Sequence, residues 1–190
     1  MTFELYLTFA CLREAAPAKA GILAFGLLFK EEKMVSAEWL KKTELFGNLN
    51  ESHLNAILSR SSVESFPEGK TIFRQGEDAI RLYVLIEGAV DLTVKTQEQT
   101  AFMTSKIDRE GAVFGTPSLM EPFRYNVTAT CLKSTQVLMI EVDHLKKMME
   151  EDPKMGMEMM KKLASIYFNR LNDLRSGVSN LLKTFKARTT

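Results

Sequence analysis

Two cysteines in 190 residues, Cys11 and Cys131, cannot build a disulfide framework. With only two histidines, His53 and His144, the chain also spells out no ligand set for zinc or an iron–sulfur cluster. Such cysteine usage fits a reducing, cytoplasmic setting, and both histidines fall in helical surface patterns. Charge bias is absent as well: 25 Lys and Arg against 24 Asp and Glu leave a net charge of +1, which gives no electrostatic case for nucleic acid or an anionic membrane as partner. Long apolar runs are missing too. FELYLTFACL and AGILAFGLLF, both within the first 33 residues, fall short of the roughly 20 apolar residues that span a bilayer. Glu4 stands where a signal peptide carries positive charge, so residues 1–33 are expected to be a poorly packed extension, with the folded unit beginning near Met34. No paired carboxylates and no Ser/His/Asp arrangement converge on one stretch, so neither catalytic residues nor a metal site is expected. The sequon at Asn126 has no secretion signal to make it meaningful.

The remaining sequence reads as one domain with an appended helix, a roll over residues 34–153 and a long C-terminal helix over 154–186. Ser36 caps AEWLKKTELF, and Asn50 caps ESHLNAILSR, whose Leu54, Ile57 and Leu58 form a buried stripe. From Ser62 to Val142 the period changes to two, with turns at Pro67, Gly69, Gly76, Gly88, Gly111, Gly115 and Pro122. Leu82, Val84 and Ile86 alternate with Tyr83, Leu85 and Glu87, and Leu138, Ile140 and Val142 alternate near the end. Many short strands at this spacing predict an α+β chain built on an antiparallel β-roll, a double-stranded jelly roll. Asp143 is expected to cap HLKKMMEE, and Asp152-Pro153 to start the final helix. Along that helix Met157, Met160, Ala164, Tyr167, Leu171, Leu174, Val178, Leu181 and Phe185 follow a coiled-coil seam. Its first two turns are expected to pack on the roll. From Tyr167 through Leu171, Leu174, Val178, Leu181 and Phe185 the stripe predicts a homodimer, because a small roll has little surface left to cover it.

Val113–Thr130, VFGTPSLMEPFRYNVTAT, holds a glycine turn and two prolines between β runs. Such a turn aims backbone N–H groups into a concavity that suits a small anion. The candidate ligand residues are Gly115, Thr116, Ser118, Arg124 and Tyr125. Each also has a structural role to play: Gly115 for its turn, Ser118 as a cap, Arg124 as a solvated strand residue, Tyr125 as packing.

FPEGKTIFRQGEDAIRLYVLIEGAVDLTV, GAVFGTPSLM and YNVTATCLKSTQVLMIEV together resemble the cyclic-nucleotide-binding domain family, the fold of catabolite activator-type regulators, over about residues 38 to 175. The resemblance implies a phosphate cassette in which a glutamate meets the ribose and an arginine pairs with the cyclic phosphate. Here Thr116 stands at the glutamate position, and alignment on Val127 and Ala129 puts Phe123 at the arginine position; a shift of one residue puts Arg124 there. The hydroxyl pair that meets the base in the activator branch corresponds to Leu174 and Arg175. Losing one partner of a buried charge-assisted pair costs about 2–5 kcal/mol. The expectation is therefore a sensory or regulatory module whose ligand is a cyclic nucleotide or another small anion, in a pocket altered so that cyclic AMP and cyclic GMP are disfavoured and room is left for a different small ligand. The alternative is a ligand-free scaffold for an unknown protein partner, with Phe123 and Tyr125 filling the pocket. Transcriptional members carry a helix-turn-helix after the long helix, and this sequence stops where that domain would start.

Overall fold

A computed structural model describes residues 35–95 and 101–188, which belong to one compact unit running from Val35 to Thr190. The expectation for residues 1–33 lies outside the described residues. Two short helices come first, α1 (Ala37–Lys41) and α2 (Glu51–Leu58). Both start as the capping residues dictate: Ser36 Oγ accepts from the Trp39 amide at 3.2 Å and Asn50 Oδ1 from the His53 amide at 2.8 Å. α1 is shorter than its sequence pattern. It ends at Lys41 because the next residues are drawn into the roll: Thr43 Oγ1 donates to the Leu40 carbonyl, the Glu44 amide donates to the Gly111 carbonyl, and Leu45 and Phe46 are buried.

Eight strands then form two four-stranded antiparallel sheets: β1 (Ser61–Phe66), β2 (Thr71–Phe73), β3 (Arg81–Glu87), β4 (Val90–Lys95), β5 (Ala101–Ile107), β6 (Val113–Phe114), β7 (Thr128–Cys131) and β8 (Thr135–Glu141). One sheet has the order β1-β8-β3-β6, the other β2-β7-β4-β5. This is the antiparallel roll that the period-two pattern predicts. The pleat sorts its side chains into two cores. Leu82, Val84 and Ile86 of β3, Val113 of β6, and Leu138 and Ile140 of β8 face the helices. Tyr83 and Leu85 of β3, Phe114 of β6 and Val137 of β8 face the other sheet, where they meet Phe73, Val90, Leu92 and Ala129. Strand β3 is therefore buried on both faces. Gly88, at φ 120°, turns β3 into β4 where a Cβ would lie 2.6 Å from the Thr135 Cα, so only glycine fits.

Helix α3 (Val142–Glu151) is not capped by Asp143; its N-cap is Glu141, which makes no capping bond, and Val142 is already helical and buried. The demand to bury Val142 sets the helix start two residues earlier than the Asp signal. Helix α4 (Pro153–Arg188) starts as read, with Asp152 Oδ1 accepting from the Lys154 and Met155 amides at 3.1 Å. Its first half packs through Met155, Met159, Leu163 and Ile166, which join the helix-facing core. Burying each such side chain contributes about 1.5–3 kcal/mol. The heptad stripe read from the sequence is a different one, rotated round the helix from this face: Met157, Met160, Ala164, Leu171, Leu174 and Val178 are exposed, together with Phe168. Among the described residues, no helix is long and apolar enough to cross a membrane.

Candidate functional site

The glycine turn after β6 ends in Gly115, at φ 73°, where a Cβ would stand 2.9 Å from the Tyr83 ring and 3.1 Å from the Arg81 carbonyl oxygen. That close approach and left-handed backbone require glycine. A 3₁₀ turn, Thr116–Leu119, follows, with Pro117 supplying the fixed φ of its first residues. Thr116 is 3% exposed, and its Oγ1 is hydrogen-bonded to the Tyr167 hydroxyl of α4 at 2.8 Å. The chain then passes the turn at Pro122 and Phe123 and returns through Tyr125 to β7.

Between this segment and α4 lies a cleft of about 670 Å³. Its floor is aromatic: Tyr125 stacks on Phe73 with centroids 3.8 Å apart, and Phe73 in turn neighbours Tyr83 at 5.5 Å and Phe114 at 6.2 Å. The Tyr125 hydroxyl donates to the Arg81 carbonyl oxygen at 2.8 Å, so its polar end is satisfied while the ring packs. Burial raises the pKa of both phenols, and for Tyr125 the neighbouring Tyr83 adds to the rise. The walls are Leu92 and Val127 from the roll and Leu171, Leu174 and Val178 from α4, with Gly115, Thr116, Ser105 and Asn126 as polar neighbours.

Of the five predicted ligand residues, Gly115, Thr116 and Tyr125 line this cleft. Ser118 does not. It is fully buried behind the turn, its amide donating to the Gly115 carbonyl at 3.1 Å and its hydroxyl unpartnered among the described residues, so it acts neither as a cap nor as a lining group. Arg124 also lies elsewhere. Its guanidinium donates to the Gly76 carbonyl at 2.9 Å and pairs with Asp78 at 3.2 Å, and its side chain is 61% exposed. A β-bridge between Asp78 and Arg124 fixes the backbone so that the side chain runs outward. Phe123, expected to fill the pocket alongside Tyr125, is turned away by its φ of 54° and sits under Lys146 Nζ, 3.7 Å from the ring centroid. Tyr167, placed by the heptad pattern in a dimer seam, is committed instead to Thr116 of its own chain. Leu174 lines the cleft, as its alignment with the base-contacting pair implies; the side chains of Leu181 and Phe185 lie outside those described.

The residue that sequence reading missed is Arg170. One turn beyond Tyr167, it borders the cleft and donates to the Val113 carbonyl oxygen, with a side chain only 26% exposed. Glu44 stands 3.8 Å away, but its oxygens already serve Arg109 and the Val113 amide at 3.1 Å. Burial is the main cause pulling the Arg170 pKa down from its usual range. Its i, i+3 relation to Tyr167 was the available signal, since both must face whatever Tyr167 faces.

Three comparisons bear on this arrangement. Residues 63–152 match the cyclic nucleotide-binding domain family. The global nitrogen regulator of Synechococcus elongatus is 32% identical over 105 residues, covering 54% of this chain and 47% of that protein. The CRP-like cAMP-activated global transcriptional regulator of Mycobacterium tuberculosis is 23% identical over 147 residues, 77% of this chain and 63% of that protein. The chain thus spans about half the length of the first of these relatives and under two thirds of the second. In structure, a protein of Geobacter metallireducens assigned as a cyclic nucleotide-binding protein superposes with a TM-score of 0.65 at 30% identity, covering 73% of this chain and 99% of that one. The paired sheets, the glycine turn with its 3₁₀ segment and the long helix closing a cleft over it make this chain a member of the cyclic nucleotide-binding domain family.

Proposed function

We propose that this protein is a ligand-responsive regulatory module in which a small molecule other than cyclic AMP or cyclic GMP enters the cleft between the roll and α4. The observation that carries this reading is the pairing of an open cleft with an emptied phosphate position: Arg124 is held outward by Gly76 and Asp78, and Thr116 spends its hydroxyl on Tyr167. A cyclic phosphate entering there meets no guanidinium from the cassette. Such a loss costs about 2–5 kcal/mol, some thirtyfold or more in affinity. The cleft itself remains large enough for a small ligand, within the range of ordinary binding sites.

In this reading α4 takes two positions against the roll, and a ligand that bridges the 3₁₀ turn and α4 binds one of them more tightly and so shifts the population towards it. The exposed face of α4 outside the cleft, with Met157, Met160 and Phe168, then carries the change to a second copy of the chain. The competing reading is a ligand-free scaffold for a protein partner, favoured by the Tyr125–Phe73 stack that already fills the cleft floor.

A thermal-shift panel of cyclic mononucleotides, cyclic dinucleotides and small organic acids separates the two. Ligand at a hundred times its dissociation constant adds about 2.7 kcal/mol of stability. A rise in Tm with an organic acid and none with cyclic AMP or cyclic GMP is the expected result. A rise with either cyclic mononucleotide refutes the altered-pocket reading, and flat curves throughout favour the scaffold.

A further inference from the structure

Arg170 is a cation without an adequate partner. Guanidinium offers five N–H donors; here, among the described residues, one is taken by the neutral Val113 carbonyl, and the nearest carboxylate, Glu44, is 3.8 Å away and already engaged. A three-quarters-buried charge in that state is costly unless something else meets it. Arg170 borders two cavities, a polar one of about 570 Å³ that it shares with Glu44, Lys106 and Arg109, and the cleft, the one of the two with apolar walls.

What flanks it sets the rest of the ligand. From Arg170 the helix runs on through Leu171, Leu174 and Val178, and across the gap stand Phe73, Leu92 and Val127. Apolar faces thus oppose each other over roughly 12 Å of helix beyond Arg170, at 1.5 Å per residue, with space between them. Asp173 lines the same stretch, exposed and with no ion pair among the described residues. It disfavours a second negative charge on the ligand.

We infer that the cleft binds a monoanion with an apolar body, its acidic head on Arg170 and its body lying along Leu174 and Val178 towards the far end of α4. This rests on the cleft being a ligand site, as proposed above, and names the chemical class that the site takes. Medium-chain carboxylates are the simplest members of that class. A cyclic nucleotide carries a single charge as well, but its polar base and sugar do not suit these apolar walls.

The test is a calorimetric titration of the full chain with butyrate, hexanoate, octanoate and octan-1-ol. Affinity should rise about fourfold per added methylene, and octan-1-ol should bind at least tenfold more weakly than octanoate. Arg170→Gln, which keeps a donor for the Val113 carbonyl, should bring octanoate down to the affinity of octan-1-ol while leaving octan-1-ol unchanged. Leu174→Asp should abolish binding of both. Equal binding of octanoate and octan-1-ol by the native protein overturns the role of Arg170, and butyrate binding as well as octanoate overturns the apolar body. If none of the four binds, the inference fails; a Tm rise with another member of the thermal-shift panel leaves the regulatory reading standing, whereas flat curves there remove both.

Discussion

Removing the hydroxyl bridge between Thr116 and Tyr167 tests whether the cassette turn is tied directly to α4. The two oxygens lie 2.8 Å apart, but their surroundings differ: Thr116 is buried, whereas Tyr167 is half-buried beside an open cleft. In Tyr167→Phe the Thr116 hydroxyl loses its partner where water does not reach, at a cost of about 1–3 kcal/mol. In Thr116→Val the Tyr167 hydroxyl turns to water in the cleft, so the loss is smaller, about 0.5–1 kcal/mol. The double variant leaves no orphan, and its cost should fall short of the summed singles by about 1 kcal/mol, the worth of a neutral hydrogen bond. Urea denaturation measures all four proteins, and each 1 kcal/mol corresponds to a Tm change of about 2–4 °C at this size. Amide hydrogen exchange supplies the second reading: Tyr167→Phe should speed exchange in α4 beyond Ile166 and leave β3 and β8 unchanged. Additive singles, or a larger loss in Thr116→Val than in Tyr167→Phe, refute the reasoning.

Gly115→Ala combines a left-handed backbone penalty of about 1–2 kcal/mol with a Cβ placed 2.9 Å from the Tyr83 ring, so it should lower stability by about 2 kcal/mol or more in thermal denaturation. Tyr83 and Tyr125 have pKa values raised in the folded state, so unfolded chains release these protons first; their contribution is intact below about pH 10 and declines as pH rises beyond it, which an alkaline stability series followed by tyrosinate absorbance should record. Cys131 is buried with its thiol pKa raised by that burial, so in a Cys11→Ser background a thiol reagent should label it only as fast as the protein unfolds. Phe168→Glu, on the exposed face of α4 and outside the cleft, should shift the protein to monomer in sedimentation velocity without changing its fold by circular dichroism.

The roll was legible because its strands obey the pleat. Leu82, Val84 and Ile86 against Tyr83 and Leu85 is a true alternation, and only the second core on the far side of β3 had to be seen, since apolar residues on both faces hide which side is which. The caps at Ser36, Asn50 and Asp152 are local chemistry and were readable for that reason. Failures came where tertiary contacts overruled local pattern. Glu44 left α1 to serve Arg109 and the Val113 amide, and the burial of Val142 displaced Asp143 from its cap. In α4 two apolar stripes coexist, and the more regular one proved to be the exposed one; Met155, Met159, Leu163 and Ile166 do the internal packing. The site was half legible. Gly115, Thr116 and Tyr125 follow from their place beside the turn, but the outward path of Arg124 depends on a bridge to Asp78, and the inward path of Arg170 on the rotation of a helix that no short motif marks.

Helix α4 is seated over only its first four turns, up to Ile166, and continues to Arg188. A rod held at one end is a cantilever. Its free arm is about 33 Å long at 1.5 Å per residue, so a tilt of about 5° at the seat sweeps the tip through roughly 3 Å. Tyr167 and Arg170 sit at the root of that arm, where the smallest displacement has the greatest reach.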